Sequence, residues 1–254
     1  MTARRLIFAA ALVLAAAPAL AQTLKPAAGV PPIPEAVQRA VDSDDRSAAM
    51  KARDGGRKPA AVFALAELKP GDRVLEFGSF GQYDTTIIAN AVGPRGHVYM
   101  YDLPYMAQRS EAPSKAFVAK HRNAEYRNGK FDELTLPTGV DLAVFDMYYH
   151  DLRAKEVDTA KLNKAVYAAL KPGGRVLIVD HKAEDGSGWR DAATIHRIGA
   201  EAIVQEMEAA GFTLAVNSAL FANPGDDHTK MVFDPTERGA TDRALFVFVK
   251  PARR

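Results

Sequence analysis

The sequence predicts an α/β fold in which a mostly parallel sheet is covered by helices on both faces. Short apolar segments alternate along the chain with longer segments of helical periodicity. The apolar segments lack the polar alternation of half-exposed strands, which is typical of strands buried on both faces. Most of them are separated by enough chain for a crossover helix, as parallel strands require.

Seven apolar segments are predicted as strands. Residues 73–77 (RVLEF) are typical, because glycines at 71 and 78 bound a short apolar run. Residues 141–147 (DLAVFDM) have a strong strand pattern and 124–127 a weak one. In chain order the predicted strands are 73–77, 97–102, 124–127, 141–147, 175–179, 212–220 and 244–250.

Helices are predicted between these strands from periodicity and from start and stop signals. Pro59 suits the first turn of a helix, and Gly93, Gly211 and the KPGG segment at 171–174 stop the helices that precede them. The predicted helices are 35–50, 59–68, 83–92, 110–121, 156–170 and 199–210. Residues 53–58 are polar and are expected in turns. The long polar connection at 221–242 is typical of a lid or binding loop.

Composition excludes several classes of protein. The 254 residues contain no cysteine, so disulfide scaffolds, thiolate zinc sites and cysteine nucleophiles are excluded. Hydrophobic residues make up 48% and charged residues 25%, which fits a globular protein and not a disordered one. The formal net charge of +2 provides no strong attraction to nucleic acids, so we expect no nucleic-acid partner.

The first 21 residues have the pattern of a cleaved secretory signal. Arg4 and Arg5 precede an apolar run at 6–20, and small residues place the expected cleavage before Gln22. This run is shorter than the ~20 residues of a spanning helix, so no stable membrane anchor is expected. We therefore expect a periplasmic or secreted protein. It would have a signal peptide at 1–21, an N-terminal linker and helix at 22–56 and one domain at 57–254. The sequence indicates no oligomeric state.

A glycine-bearing turn and an acidic residue point to a nucleoside-bearing ligand. In a parallel sheet, ligands bind beyond the carboxyl ends of the strands. The segment at 74–83 (VLEFGSFGQY) joins a predicted strand to a predicted helix, so its backbone N–H groups can approach a cofactor. Asp102 ends the next strand, where a carboxylate can accept hydrogen bonds from both ribose hydroxyls.

These features resemble the ordered motifs of class I S-adenosylmethionine (SAM)-dependent methyltransferases. The motifs are EFGSFGQ at 76–82, Asp102, FD at 131–132, DLAVF at 141–145 and LKPGG at 170–174. Over 57–251 the chain is more specifically similar to an exported bacterial family of predicted methyltransferases. The segments YHDL (149–152), VDH (179–181), HRI (196–198) and RGATDR (238–243) are among those that carry this likeness. The resemblance implies a Rossmann-like, seven-stranded methyltransferase sheet whose last strand is antiparallel, with SAM as cofactor.

The resemblance also implies the cofactor-binding residues. Glu76, Gly78 and the backbone of Gly81 would hold the methionine part of SAM, Asp102 the ribose, and Asp132 would lie near the adenine amine. The chain departs from the family pattern at two positions, because Phe80 and Gln82 stand where the second and third glycines of the motif are expected. A left-handed backbone at either position would cost ~1–2 kcal/mol.

Catalytic candidates follow the fourth and fifth predicted strands. Tyr149, His150 and Asp151 lie directly after the fourth, and His181 lies after the fifth. Histidine can take a proton from a hydroxyl or amine as methyl transfer occurs, and His150 is the preferred base. His196 and Arg197 are expected at a helix start, where they could contact substrate. A further set of loop residues is expected to face the cleft: Asp226, Asp227, His228, Arg238, Asp242 and Arg243.

The sequence therefore predicts a SAM-dependent methyltransferase that acts on an oxygen or nitrogen of a small molecule. Two alternatives remain open. The first is a non-enzymatic binding protein on the same fold, suggested by Phe80, Gln82 and the export signal. The second is a metal-assisted hydrolase that uses the Asp and His residues at the strand ends, which suit Mg²⁺, Mn²⁺ or Zn²⁺. We assign no metal ligand, because no tight histidine spacing is present.

Overall fold

The computed structural model of the protein describes residues 29–252. The predicted signal peptide at 1–21 and the first part of the predicted linker lie outside the described residues. Within 29–252, none of the helices has both the length and the apolar character needed to cross a membrane.

Seven strands form a single sheet in the order β3-β2-β1-β4-β5-β7-β6. The pairs among β1 to β5 are all parallel, whereas β7 pairs antiparallel with both β5 and β6. This confirms the predicted fold class and the antiparallel last strand. The strands are β1 Arg73–Phe77, β2 His97–Asp102, β3 Ala124–Asn128, β4 Val140–Asp146, β5 Leu170–His181, β6 Thr213–Ser218 and β7 Arg243–Val249.

Ten α-helices and three short 3₁₀ segments connect the strands of the described chain. The helices are α1 Glu35–Asp42, α2 Ala48–Lys51, α3 Asp54–Arg57, α4 Pro59–Leu65, α5 Tyr83–Val92, α6 Ala107–Lys120, α7 Asp151–Ala154, α8 Thr159–Ala169, α9 Ala192–Ile195 and α10 Ala200–Ala209. The 3₁₀ segments are Gly93–Arg95, Pro104–Met106 and Phe131–Glu133.

The sheet separates two hydrophobic clusters, one on each face. On one face Phe77 stacks on Phe145 with ring centroids 4.6 Å apart, and β1 and β4 thereby pack against each other at the centre of the sheet. On the other face, Ile87 and Ile88 of α5 belong to the same cluster as Val74. The continuous apolar pattern of the strands follows from this burial on both sides.

Several predicted boundaries differ from the observed ones. The helix predicted at 35–50 is interrupted, because α1 ends at Asp42 and the Ser47 side chain caps the start of α2. Residues 54–57, expected in a turn, form the single turn of α3, and the Arg46 guanidinium binds Asp54. β5 begins at Leu170 rather than at 175, because Leu170 pairs with Val140 of β4, and hydrogen bonds between Lys250 and residues 173–174 continue the pairing beyond the end of β7.

A buried ion pair fixes the long connection between β6 and β7. The Arg197 guanidinium donates two hydrogen bonds to the Asp226 carboxylate, at 2.8 and 3.1 Å, and both side chains are almost fully buried. Asp226 also accepts the backbone N–H of Asp242, and Arg197 donates to two backbone carbonyls. Arg197 and Asp226, expected to meet substrate, are therefore occupied in holding the loop. His196 and Arg197 lie after the end of α9 and not at the start of a helix.

Loss of Asp226 should destabilise the fold strongly. In Asp226→Ala the buried Arg197 charge has no counter-charge, so the free energy of unfolding should fall by about 3–5 kcal/mol. Asp227→Ala is the matched control, because Asp227 is exposed and its carboxylate contacts only Thr229. That change should cost about 1 kcal/mol or less. Urea denaturation measures both, and equal losses would show that the ion pair does not hold the loop.

Candidate active site

The turn between β1 and α5 contains three residues in the left-handed region. These are Gly78 with φ of +85°, Gly81 with φ of +82° and Gln82 with φ of +50°. Phe80 does not take a positive φ, and its side chain is 46% exposed. The strain expected from the two replaced glycines therefore falls on Gln82 alone. The Gln82 side chain is buried and donates to the Ser114 hydroxyl at 3.0 Å.

Gly78 is required for a close contact with an aromatic ring. A Cβ at this position would lie 2.7 Å from the Tyr148 ring, far inside van der Waals contact. Tyr148 follows β4, is buried, and its hydroxyl lies 3.1 Å from that of Tyr105 after β2. Glycine at 78 thus allows the residue after β4 to pack directly on the end of β1.

Acidic side chains near this turn have unsatisfied oxygen atoms. Asp102 is fully buried, and its Oδ1 accepts the backbone N–H of Phe80 at 3.1 Å. Its Oδ2 has no hydrogen-bond partner among the described residues, and neither do Ser79 Oγ and Asp132 Oδ1. Burial raises the pKa of Asp102. Buried polar atoms are normally paired, so these are positions where a ligand can donate hydrogen bonds.

Glu76 lies beneath the start of α5, facing that helix. Its carboxylate is buried and accepts a hydrogen bond from the Thr85 hydroxyl at 2.7 Å. Burial raises the pKa of Glu76 to about 8. Asp84 and Asp146 lie nearby on Arg57, and burial together with the Asp146 charge raises the pKa of Asp84 well above its usual value. Glu76, Asp84 and Asp146 thus form a cluster of three carboxyl groups, whose negative charge Arg57 partly neutralises.

A cavity of about 480 Å³ lies beyond the ends of β4 and β5. Four arginines line it together with His181 and the apolar side chains of Met147, Val232 and Phe233. The arginines are Arg53, Arg57, Arg238 and Arg243. This volume is within the usual range for a small-molecule site. Arg53 and Arg57 come from the segment at 53–58, which the sequence predicts only as turns, although its three basic residues are a signal for an anion-binding site.

Three of these arginines have no carboxylate partner among residues 29–252. Arg57 is paired with Asp84 and Asp146, but Arg53, Arg238 and Arg243 form no ion pair there. Arg243 is 7% exposed, donates to the carbonyl of Gly56, and its Nε is buried without an acceptor. An unpaired guanidinium in a cavity is a binding group for a carboxylate or phosphate.

Of the predicted catalytic residues, His181 lines this cavity. Its Nδ1 lies 2.8 Å from the Thr241 hydroxyl. Burial lowers the pKa of His181 well below its usual value, and the charges of His150 and Arg243 lower it further. His181 is therefore a neutral imidazole at pH 7.

His150 and Tyr149 lie elsewhere. His150 is 3% exposed, with Nδ1 at 2.6 Å from Asp180 and Nε2 at 3.2 Å from Nδ1 of His196. Tyr149 is a core residue whose hydroxyl donates to Glu206 and accepts from Asn163. His150, the base predicted from the sequence, thus directs its ring nitrogens at Asp180 and His196, and neither it nor Tyr149 lines the cavity. Asp151 lies next to His150, with Oδ1 at 3.2 Å from His196.

The methyltransferase domain family matches residues 49–216 of this chain. Two named relatives are similar over part of it. An arsenite methyltransferase of Halobacterium salinarum is 30% identical over 143 residues, 55% of this chain and 34% of the relative. A protein-L-isoaspartate O-methyltransferase of Ignicoccus hospitalis is 44% identical over 128 residues, 50% of this chain and 55% of the relative. The matched part of the chain thus spans between a third and about half of each relative.

Solved structures share the fold. The crystal structure of a SAM-dependent methyltransferase from Aquifex aeolicus superimposes with a TM-score of 0.55 at 16% identity. The match covers 80% of this chain and 97% of that one. At this identity the likeness concerns the fold alone.

The Glu76 carboxyl should make stability depend on pH. Between pH 4.5 and about 8 the folded protein retains a proton on Glu76 that the unfolded chain releases. The free energy of unfolding therefore falls as pH rises, by up to about 1.4 kcal/mol per pH unit from this group. Glu76→Gln cannot lose this proton, so its free energy of unfolding relative to that of the parent should increase from pH 5 to pH 8.

Urea denaturation at several pH values measures this difference. Exposed Glu208→Gln is the control and should show a difference that does not change with pH. If the free energy of unfolding of Glu76→Gln relative to the parent stays constant or decreases over this range, the buried carboxyl is ionised throughout it.

Proposed function

Because this chain belongs to the methyltransferase domain family, we propose that it transfers a methyl group from SAM to an anionic small molecule. The acceptor atom is an oxygen or a nitrogen. The unsatisfied Oδ2 of buried Asp102, beside the glycine turn of β1, is the observation that carries the cofactor assignment. A carboxylate at the end of the second strand is positioned to accept hydrogen bonds from ribose hydroxyls.

The residues around the turn fit the remaining parts of SAM. Asp132 is buried, and its Oδ1 has no partner within residues 29–252, so it can accept a hydrogen bond from an adenine amine. Gly81 has no atom within 4 Å of a Cβ built on it, so its backbone is open to a ligand. SAM supplies an electrophilic methyl group on its sulfonium. Within the chain, Tyr148 and the Gly78 turn join the ends of β4 and β1, next to the cavity lined by Met147.

The charge of the cavity supports an anionic acceptor. Arg53, Arg238 and Arg243 have no carboxylate partner in the described part of the chain, so they are available to a carboxylate or phosphate on the acceptor. Met147, Val232 and Phe233 provide apolar contact for the rest of the molecule. A cavity of this size holds a small molecule, and the proposal therefore does not include a protein substrate.

We assign the role of general base to His181 instead of His150. His181 lines the cavity, and its Nδ1 is held by Thr241, which fixes the ring so that Nε2 can receive a proton. His150 does not line the cavity, and its two ring nitrogens face Asp180 and His196 instead. The proposed base is thus His181 at the end of β5 and not His150, which placement after β4 alone favours.

Calorimetry with SAM tests the cofactor assignment. The protein should bind SAM and S-adenosylhomocysteine at one site per chain. Asp102→Asn should weaken SAM about tenfold to a hundredfold, because the variant loses a charge-assisted hydrogen bond to the ligand. Asp141→Asn is the matched control, since Asp141 lies at the opposite end of the parallel strands, where it accepts the backbone N–H of Arg73 and pairs with Lys171.

The outcome of this titration separates the candidate functions. Absence of SAM binding at millimolar ligand contradicts the proposal. Binding of SAM without methylation of any acceptor favours a non-enzymatic binding protein. Equal weakening by Asp102→Asn and Asp141→Asn would show that the cofactor lies elsewhere.

A matched pair of acceptors tests the charge of the substrate. A hydroxybenzoate and the corresponding hydroxybenzamide differ in one carboxylate, and the carboxylate compound should be methylated with the lower KM. Arg238→Gln should raise that KM about tenfold, whereas His181→Gln should lower kcat with little change in KM. Transfer of radiolabelled methyl groups measures both parameters. Equal use of acid and amide would contradict recognition by the arginines.

A further inference from the structure

Three potential ligand atoms meet at the ends of β4 and α9, outside the arginine-lined cavity. They are Nε2 of His150, Nδ1 of His196 and Oδ1 of Asp151. The two nitrogens are 3.2 Å apart, and Asp151 Oδ1 lies 3.2 Å from His196 and 3.6 Å from His150. The three atoms thus form a nearly equilateral triangle.

This triangle has the dimensions of a metal-binding face. Zinc binds imidazole nitrogen and carboxylate oxygen at about 2.0–2.2 Å in tetrahedral geometry, which places neighbouring ligand atoms about 3.4 Å apart. The observed separations lie on both sides of this value. Two imidazoles and one carboxylate suit a transition metal, whereas Mg²⁺ and Ca²⁺ prefer oxygen ligands alone.

The surroundings of His150 orient it as metal ligands are usually oriented. The Asp180 carboxylate makes two hydrogen bonds with His150, one to ring Nδ1 at 2.6 Å and one to the backbone N–H at 2.7 Å. In metal sites, a carboxylate that binds one ring nitrogen of a histidine fixes the tautomer and directs the second ring nitrogen at the metal. Asp180 is wholly buried, so this orientation is rigid.

His196 is placed by an unfavourable backbone conformation. Its φ of +57° lies in the left-handed region, which non-glycine residues seldom adopt. This conformation occurs where α9 ends, and Phe233 packs edge-on against the ring at 5.0 Å. Strained positions of this kind cluster at ligand sites, where the surrounding structure compensates for the strain.

A hydrogen-bonded cluster without metal is the competing explanation. In such a cluster His150 donates Nδ1–H to Asp180, and one proton lies between its Nε2 and Nδ1 of His196, with either nitrogen as the donor. A metal ion would take the place of that proton, so that both nitrogens and Asp151 Oδ1 direct lone pairs at it. The two explanations therefore differ in whether an added metal ion binds.

We propose that His150, Asp151 and His196 bind one divalent transition metal ion, with zinc the best match to these ligands. Three protein ligands leave a fourth position open, as in catalytic zinc sites and unlike closed structural ones. The side chains of Asp151 and His196 are 15% and 25% exposed, so water or a ligand can reach the outer side of the site. This site does not depend on methyl transfer, and it exists whether or not SAM binds.

Calorimetry with zinc alone tests this site. Protein treated with a chelator and then dialysed should bind one equivalent of Zn²⁺ per chain and should melt at a higher temperature with zinc present. Mg²⁺ should produce neither effect. Co²⁺ should add a visible absorption band whose intensity reports low coordination number.

His196→Asn is the informative variant, and His228→Asn is its matched control. Asparagine tolerates the left-handed backbone at both positions, where φ is +57° and +61°. Each histidine is partly exposed and has a ring nitrogen near an aspartate oxygen. The distance is 3.2 Å from His196 to Asp151 and 3.1 Å from His228 to Asp242. His196→Asn should weaken zinc at least about tenfold, and His228→Asn should leave it unchanged.

Three results would overturn the assignment. They are no zinc binding by the parent protein, a stoichiometry well above one that neither variant changes, and equal weakening by both variants. His150→Ala is less informative than His196→Asn, because it leaves the buried Asp180 carboxylate without its partner and destabilises the fold.

Discussion

The parallel pairing of β1 with β4 at the centre of the sheet is the constraint on which the rest of this structure depends. Phe77 and Phe145 stack across this pair, and strand order reverses here, with β2 and β3 on one side and β5, β7 and β6 on the other. The connections after β1 and β4 therefore leave in opposite directions and open a crevice. The glycine turn, Asp102 and Tyr148 all border that crevice because of this reversal.

Buried charge then determines which side chains face the ligand. Arg197 and Asp226 neutralise each other and attach the long β6–β7 connection to the end of β5. That attachment brings Val232, Phe233 and Arg238 to the cavity. Arg57 partly neutralises Asp84 and Asp146, whereas the other three arginines of the cavity form no ion pair within residues 29–252. The fold thus separates charges that stabilise it from charges available to a ligand.

The ends of β4 and β5 contain two histidines with different surroundings. Asp180 lies between them in the chain and binds His150 through its side chain, so that His150 turns toward His196 and away from the cavity. His181 instead binds Thr241 beside the arginines. One buried carboxylate therefore divides the strand ends into a proposed metal site and a proposed proton-transfer site, which share no ligand atom.

The sequence by itself determined the fold class, most strand positions and the candidate residues at strand ends. The predicted bounds of β1, β2 and α5 agree with the structure, since apolar runs and glycine stops depend on near neighbours in the chain. Boundaries failed where pairing to a distant segment decided them, as at the start of β5, where Leu170 pairs with Val140 of β4. Tertiary structure alone decided that Gly78 contacts Tyr148, that arginines from the N-terminal segment line the cavity, and that His196 meets His150. These contacts join residues between 46 and 187 positions apart, as with His196 and His150 or Arg243 and Gly56, and no local pattern encodes them. Local periodicity reports burial, whereas the partner of a buried polar group is set only when the whole chain has packed.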